Sequence, residues 1–173
     1  MKYKGINLNI VIIVIILVIS IFFVGKYLLK LYNVEQPLFE KINAIEEVKE
    51  VKIVNGKEKI DIYLNLMSGV ELYSLYQKVE NVIKEEIEID KSNILINNSS
   101  ELEDIYYKIH FAIYEGIATN DFSDMKKNID LIMQDEGFDY RIWVDDNYVY
   151  LQLNNEKNDF YRVFDRLRGD NIA

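Results

Sequence analysis

Few residues in this chain could carry out catalytic chemistry. With one histidine, His110, and no cysteine, zinc sites and histidine-based triads are almost unreachable, and disulfides and cysteine-ligated metals are excluded. Glycine-rich phosphate-binding loops and the Gly-x-Ser-x-Gly and His-Glu-x-x-His motifs are also missing from the sequence. The sequence therefore predicts a protein that is not an enzyme and that has neither a metal site nor a cofactor.

Carboxylates are abundant, and two groups of them resemble metal ligands. Asp135, Glu136 and Asp139 follow a predicted helix, where a weak Ca²⁺ site is conceivable, but the EF-hand pattern is absent. The run Asp-Asp-Asn at 145–147 has the composition of a tight turn. A solvated helix end and a turn explain both groups without a ligand.

Two groups of aromatic residues are better candidates for function, because aromatic side chains and arginine dominate the hot spots of protein interfaces. One group lies on a face of a predicted hairpin and the other on a face of a predicted helix. The first consists of Arg141, Trp143, Tyr148 and Tyr150, and the second of Tyr107, His110 and Tyr114 together with Phe111. The alternative is that each face packs on the other half of the same domain.

Periodicity in the first half of the body predicts the order α-β-β-α-β. Pro37 suits the first turn of a helix, and residues 51–66 then alternate between apolar and polar, as in a half-buried hairpin. An apolar stripe predicts a helix over 72–83, and a short apolar run predicts a strand over 93–96.

The second half is predicted from the same kinds of pattern. Helical stripes cover 101–115, which is followed by a break at 116–119, and then 122–133. Alternation predicts a hairpin over 140–153. The apolar spacing over 160–167 predicts a last helix that ends at a glycine.

Cross-strand pairing predicts the register of both hairpins. In the first, a two-residue loop at 56–57 sets Ile53 opposite Ile60, and Lys52 opposite Asp61. A loop one residue earlier would set like charges opposite each other, whereas a longer bulged loop also fits. In the second, a turn at 146–147 sets Val144 opposite Val149 and Trp143 opposite Tyr150.

These patterns together predict an α+β fold with two β-hairpins packed against amphipathic helices. The order helix, hairpin, helix occurs twice, with a nearly constant offset between matching apolar positions. The sequence therefore also indicates an α-β-β-α pseudo-repeat with halves at 37–97 and 98–169.

A transmembrane anchor is predicted at residues 8–25, between a short tail at 1–7 and a juxtamembrane linker at 26–36 that leads to the soluble domain at 37–173. The 18 residues of this segment, of which only Asn9 and Ser20 are polar, span about 27 Å as a helix, close to the thickness of a bilayer core. The run is longer than the apolar region of a cleaved signal peptide and lacks its small-residue cleavage site. Signal-peptide and pilin-like leaders are the weaker alternatives.

Charge is distributed unevenly along the chain. Residues 1–33 contain four lysines and no acid, whereas the rest contains 16 basic and 29 acidic residues. Phosphates would repel such an acidic body, so we expect no nucleic-acid partner. Lysines flank both ends of the span, so the positive-inside rule is nearly balanced. A short tail before the span favours a cytoplasmic N-terminus and an extracytoplasmic body.

Parts of the body resemble other bacterial proteins. The element order over 37–96 resembles the ring-building modules of bacterial secretion and sporulation assemblies, where such domains associate laterally outside the membrane. The segments 102–107, 114–119 and 148–153 are similar to those of uncharacterised single-pass membrane proteins of anaerobic Gram-positive bacteria, a group with no activity to transfer. The resemblances imply a membrane-anchored interaction or assembly module of the bacterial cell envelope, with a homo-oligomer or an envelope protein as partner. The alternative is a tethered domain that binds a small ligand or cell-wall fragment between its halves.

Overall fold

The computed structural model describes residues 2–3, 6–30, 35–56, 59–134, 136–155 and 157–167. The chain divides into two units, Met1–Leu38 and Phe39–Ala173. In the first unit, two short strands pair antiparallel and lead into a long helix. These elements are β1 (Lys2–Tyr3), β2 (Ile6–Asn7) and α1 (Leu8–Lys30).

Helix α1 is the predicted anchor, and it is long and apolar enough to cross a membrane. Its 23 residues correspond to about 34 Å. The hydroxyl of Ser20 donates to the carbonyl of Ile16 at 2.8 Å, so this polar group is satisfied within the helix. The helix continues beyond the predicted end at Gly25, while residues 31–34 of the predicted linker lie outside the described part of the chain.

The first sheet of the body has the strand order β3-β4-β5, with β3 antiparallel and β5 parallel to β4. A parallel pair needs a crossover connection, and the helix between β4 and β5 supplies it. This confirms the element order predicted for the first half. The elements are α2 (Gln36–Asn43), β3 (Val48–Asn55), β4 (Ile60–Leu66), α3 (Leu72–Glu86) and β5 (Ser92–Ile96).

The predicted register of the first hairpin is wrong by two residues. Ile53 lies opposite Ile62, not Ile60, and Lys52 lies opposite Tyr63. The loop has four residues instead of two, and the amide of Gly56 donates to the carbonyl of Lys59 at 2.9 Å across it. Because side chains alternate with a period of two, a shift of two residues leaves the buried face unchanged.

The second sheet is an antiparallel meander with the order β6-β7-β8, preceded by two helices. The predicted register of its hairpin is confirmed, since Val144 lies opposite Val149 and Trp143 opposite Tyr150. The elements are α4 (Glu103–Thr119), α5 (Phe122–Met133), β6 (Asp139–Val144), β7 (Tyr148–Asn154) and β8 (Asp159–Asp165).

The segment predicted as a last helix is strand β8, so that prediction is wrong. Phe160 and Phe164 pack with the apolar faces of α4 and α5, while Tyr161 and Val163 are buried on the opposite face. Strands buried on both faces lose the polar alternation that would identify them, and their apolar residues can then fit a helical period. The α-β-β-α pseudo-repeat fails for the same reason. Residues 168 and 169, where the predicted helix ended, lie outside the described residues.

The second sheet is covered on both faces. One face packs on α4 and α5 through Val149, Leu151 and Leu153 of its central strand. The opposite face carries Tyr150, which contacts two tyrosines of α3. Helix α3 is also the crossover of the first sheet and buries a stripe of leucine, valine and isoleucine side chains. It therefore takes part in the packing of both sheets.

Helices α4 and α5 approach closely at Gly116, which lies inside α4. The break predicted at 116–119 is wrong, because α4 runs through Thr119 and ends at Asn120 in the left-handed conformation (φ 57°). A Cβ atom at Gly116 would lie 2.5 Å from the Cβ of Met125. Glycine is therefore required here by the proximity of the second helix, not by a turn.

We expect Gly116→Ala to lower the free energy of unfolding by about 1–2 kcal/mol net, because the added methyl overpacks the helix contact at a cost in the upper part of the usual range of about 1–3 kcal/mol. This cost exceeds the gain of about 1 kcal/mol in helix propensity that alanine brings. Chemical denaturation of the full chain in detergent, followed by the fluorescence of Trp143, would measure it. The double variant with Met125→Ala keeps the Cβ contact but removes Cγ and Sδ, each 2.8 Å from the added methyl, so it should cost less than the two single changes together. A neutral or stabilising Gly116→Ala would contradict the close approach.

Candidate functional site

The hairpin face predicted from Arg141, Trp143, Tyr148 and Tyr150 lies mostly against α3. Tyr150 is completely buried, Trp143 and Tyr148 are half-buried, and Arg141 is exposed. Tyr150 therefore cannot contact a partner unless the domain opens. The prediction that it belongs to an exposed surface is wrong. The physical reason is that β7 is the central strand of a sheet with helices on both faces.

Aromatic rings form the contact between this face and α3. Tyr73 stacks on Trp143 with ring centroids 6.5 Å apart, and it meets Tyr150 edge-on at 5.2 Å. Tyr76 meets Tyr148 and Tyr150 edge-on, each at 5.5 Å. Edge-to-face pairs at these separations add stability beyond the area that they bury. These rings fill the junction at which a tyrosine-lined ligand pocket between the halves was predicted.

Hydrogen bonds fix the same contact at the turn before β7. The hydroxyl of Tyr150 donates to Oδ2 of Asp145 at 2.7 Å and accepts from Nε2 of Gln77 at 3.1 Å. Oδ1 of Asp145 accepts from the amides of Asn147 and Tyr148, each at 2.8 Å. The prediction of a turn at 145–147 is thus confirmed, and Asp145 acts in it as a hydrogen-bonded turn residue.

The N-terminus of α3 is capped by a side chain of the second sheet. Glu71, at the cap position, makes no side-chain cap bond, but the buried Gln152 of β7 accepts from the amide of Leu72 at 3.2 Å. Beside it, the carboxylate of Asp159 accepts from the hydroxyl of Ser68 at 2.8 Å and from the amide of Gly69 at 3.1 Å. Orphan donors at the start of a helix need such acceptors, so α3 and the second sheet complete each other.

Burial in this junction raises the pKa of its tyrosines. Burial is the largest cause that raises the pKa of Tyr76, Tyr148 and Tyr150 above the ordinary value of 10.0. The next causes are the charge of Tyr148 for Tyr76, the charge of Glu80 for Tyr148, and the hydrogen bond to Asp145 for Tyr150. These phenols therefore stay neutral at physiological pH, and the hydroxyl of Tyr150 donates to Asp145.

An acidic cleft of about 490 Å³ opens at one end of the junction. The carboxylate of Glu80 is almost completely buried at its base, 3.7 Å from Nζ of Lys84. The cleft is lined by Glu80, Lys84, Glu88, Ile89, Asp90, Asn147, Tyr148, Asp165 and Leu167. No group of three or more histidine, aspartate or glutamate side chains in the described part of the chain could hold a metal ion.

The second predicted surface lies on α4 and faces solvent. Phe111 is 74% exposed and Tyr107 is 57% exposed, although both lie in the middle of a helix whose other side is core. His110 and Tyr114 are half-buried beside them. The ring of Tyr114 contacts the core edge-on through Phe164 at 5.7 Å. The structure thus brings Tyr107, His110 and Tyr114 together with Phe111, and we call these four residues the aromatic face of α4.

His110 serves this face as a spacer. Its Nδ1 is 2.7 Å from the carbonyl of Tyr107, a geometry in which Nδ1–H donates to that oxygen. Its ring lies 4.0 Å from the ring of Phe111 and 6.3 Å from that of Tyr114. The histidine therefore contacts aromatic rings and a backbone carbonyl, and it holds the neighbouring rings in place.

No family model, curated protein or solved structure matches this chain. The function is therefore inferred from the positions and contacts of the residues. Of the two groups predicted from the sequence, the aromatic face of α4 is the more exposed, and the hairpin face is largely used inside the domain.

A Ca²⁺ site at the end of α5 was the alternative predicted for a group of carboxylates. Glu136 pairs with Lys108 of α4 at 2.6 Å, and Asp139 begins strand β6. Asp135 lies outside the described residues. Glu136 and Asp139 therefore belong to different local structures.

The sequence patterns did not predict that α3 has a second face, which contacts the hairpin. Tyr73, Tyr76, Gln77 and Glu80 are spaced as one face of a helix, next to the apolar stripe. A second stripe of amphipathic side chains is the signal that could have identified them. It indicates a helix that is packed on two sides.

Proposed function

We propose that this chain is a non-enzymatic interaction module of the bacterial cell envelope, anchored to the cell membrane by residues 8–25, with its N-terminus cytoplasmic and its body extracytoplasmic. Its contact surface is the aromatic face of α4. The observation that supports this is the exposure of Phe111 and Tyr107 on a helix that is otherwise part of the core. Exposed aromatic clusters of this kind are the usual centres of protein interfaces.

The anchored architecture supports the same proposal. A helix of the length and composition of α1 keeps the body at a membrane surface, where partners are confined to two dimensions. The acidic body favours a protein partner over nucleic acid or anionic lipid. The alternative, a binding domain for a small ligand between the halves, gains no support, because the tyrosines expected to line its pocket pack on one another.

Photo-crosslinking in cells tests this proposal. A photoreactive phenylalanine analogue replaces Phe111 in the full chain, and the matched control replaces Leu131, which is 62% exposed on α5. We expect a protein adduct from position 111 and little from position 131, and Phe111→Ala should weaken the partner contact about tenfold or more. Equal adducts from both positions, or none from position 111, would argue against the aromatic face as a contact surface.

A further inference from the structure

The exposed side of α4 has the spacing of a helix-pairing seam. Tyr107, Phe111, Tyr114 and Ala118 follow one another at intervals of four, three and four residues. Alternation of three and four is the spacing that keeps a stripe of side chains facing a partner helix. The seam is exposed or half-buried along its length, while the opposite side of α4 is core.

When the seams of two copies run in opposite directions, the side-chain sizes of one seam complement those of the other. In an antiparallel pair of α4 helices related by a two-fold axis between positions 112 and 113, Tyr107 lies opposite Ala118 of the second copy. Phe111 then lies opposite Tyr114 of the second copy. Each large ring meets either a small side chain or an aromatic ring that it can pack against. A parallel pair would instead set each residue against itself.

Charge on one flank of the seam fits the same arrangement. Lys108 and Glu115 are exposed and two turns apart, so they lie on the same flank. The antiparallel pair brings Lys108 of each copy beside Glu115 of the other, which creates two ion pairs of opposite charge. Lys108 also contacts Glu136 of its own chain at 2.6 Å and remains about half exposed, so it can reach a second carboxylate.

We propose that the aromatic face of α4 binds a second copy of this chain, with the two α4 helices antiparallel and paired along Tyr107, Phe111, Tyr114 and Ala118. This inference rests on the proposed function, whose surface it uses, and it identifies the partner. Interfaces between copies of one chain are most often two-fold and self-complementary, as this arrangement is. Anchoring in one membrane raises the effective concentration of the two copies for each other.

A charge-swap pair tests the inference in the full-length chain, with two differently tagged copies in detergent or nanodiscs. Lys108→Glu leaves acid at both flank positions, and Glu115→Lys leaves base at both. We expect each variant alone to self-associate about tenfold or more weakly than the natural chain, because both ion pairs become repulsive. Mixing the two variants should restore association, since every flank contact then joins opposite charges.

The controls make the result specific. Lys127→Glu and Glu46→Lys change the same charges at exposed positions away from the seam, and they should leave association unchanged. A natural chain that stays monomeric, single variants that associate as it does, or a mixture that fails to recover would overturn the antiparallel pair. If position 111 still crosslinks to a different protein in that case, the proposed function stands and only the partner is wrong.

Discussion

Tyr150→Ala is expected to lower the free energy of unfolding by about 3–5 kcal/mol, the range for deleting a large buried ring. Tyr150 is completely buried, and its ring contacts Tyr73 and Tyr76 of α3 at 5.2 and 5.5 Å. Removing the ring leaves a cavity between α3 and the second sheet. Trp143, the one tryptophan of the chain, stacks on Tyr73 and so reports directly on this junction.

Tyr150→Phe separates the hydroxyl from the ring. It keeps the packing but leaves Oδ2 of Asp145 and Nε2 of Gln77 without the phenol as a partner. We expect this variant to cost about 1–3 kcal/mol. Tyr63→Ala is the matched control, because Tyr63 is 43% exposed on the first sheet, and it should change stability by about 0.5 kcal/mol or less. If Tyr150→Ala were no more costly than this control, the junction would not contribute to the cooperative core.

The second large effect is a loss of stability in alkali. Tyr76, Tyr150 and Tyr161 are all buried, and burial is the main cause that raises the pKa of each above 10.0. Below about pH 10 these phenols are neutral in both the folded and the unfolded chain, so their titration does not make stability depend on pH. Above it, the unfolded chain releases protons that the folded chain keeps, and stability falls as the pH rises toward the folded pKa values.

The expected slope is steep because three groups act together. Each tyrosine contributes about 1.4 kcal/mol per pH unit, so these three alone give about 4 kcal/mol per pH unit well above pH 10, and the half-buried Tyr148, whose pKa is also raised, adds to the slope. Denaturation at several alkaline pH values, with tyrosinate absorbance recorded in parallel, would measure it. Tyr150→Phe should reduce the slope by about one proton. Stability that is unchanged well above pH 10, or titration of all tyrosines at their ordinary pKa in a folded chain, would contradict this result.

Local patterns predicted the elements whose apolar residues keep a regular helical or strand period. The second hairpin is an example, because alternation along β6 and the acidic turn at 145–147 together define a single register. The helices α3 and α5 also follow their apolar stripes. In each case the signal lies within a few residues of the feature that it predicts, so the sequence contains enough information locally.

Features that depend on packing between distant parts of the chain were predicted less well. Strand β8 was taken for a helix because Phe160 and Phe164 face one neighbour while Tyr161 and Val163 face another, which removes the alternation. The hairpin face at Tyr150 was placed on the surface because its partner, α3, lies far away in the sequence. The residues of the aromatic face of α4 were grouped from helical spacing alone, but their exposure depends on the position of α4 at the edge of the core.

The cap of α3 by Gln152 has a consequence for the order in which the chain can be completed. The amide of Leu72 and its acceptor are 80 residues apart in the sequence. A nascent chain leaves the ribosome N-terminal half first, so the start of α3 and its tyrosines wait for a strand that has not yet been synthesised. The body can therefore close only after β7 has been synthesised, and a product truncated before β7 would expose an uncapped helix and an uncovered row of aromatic rings.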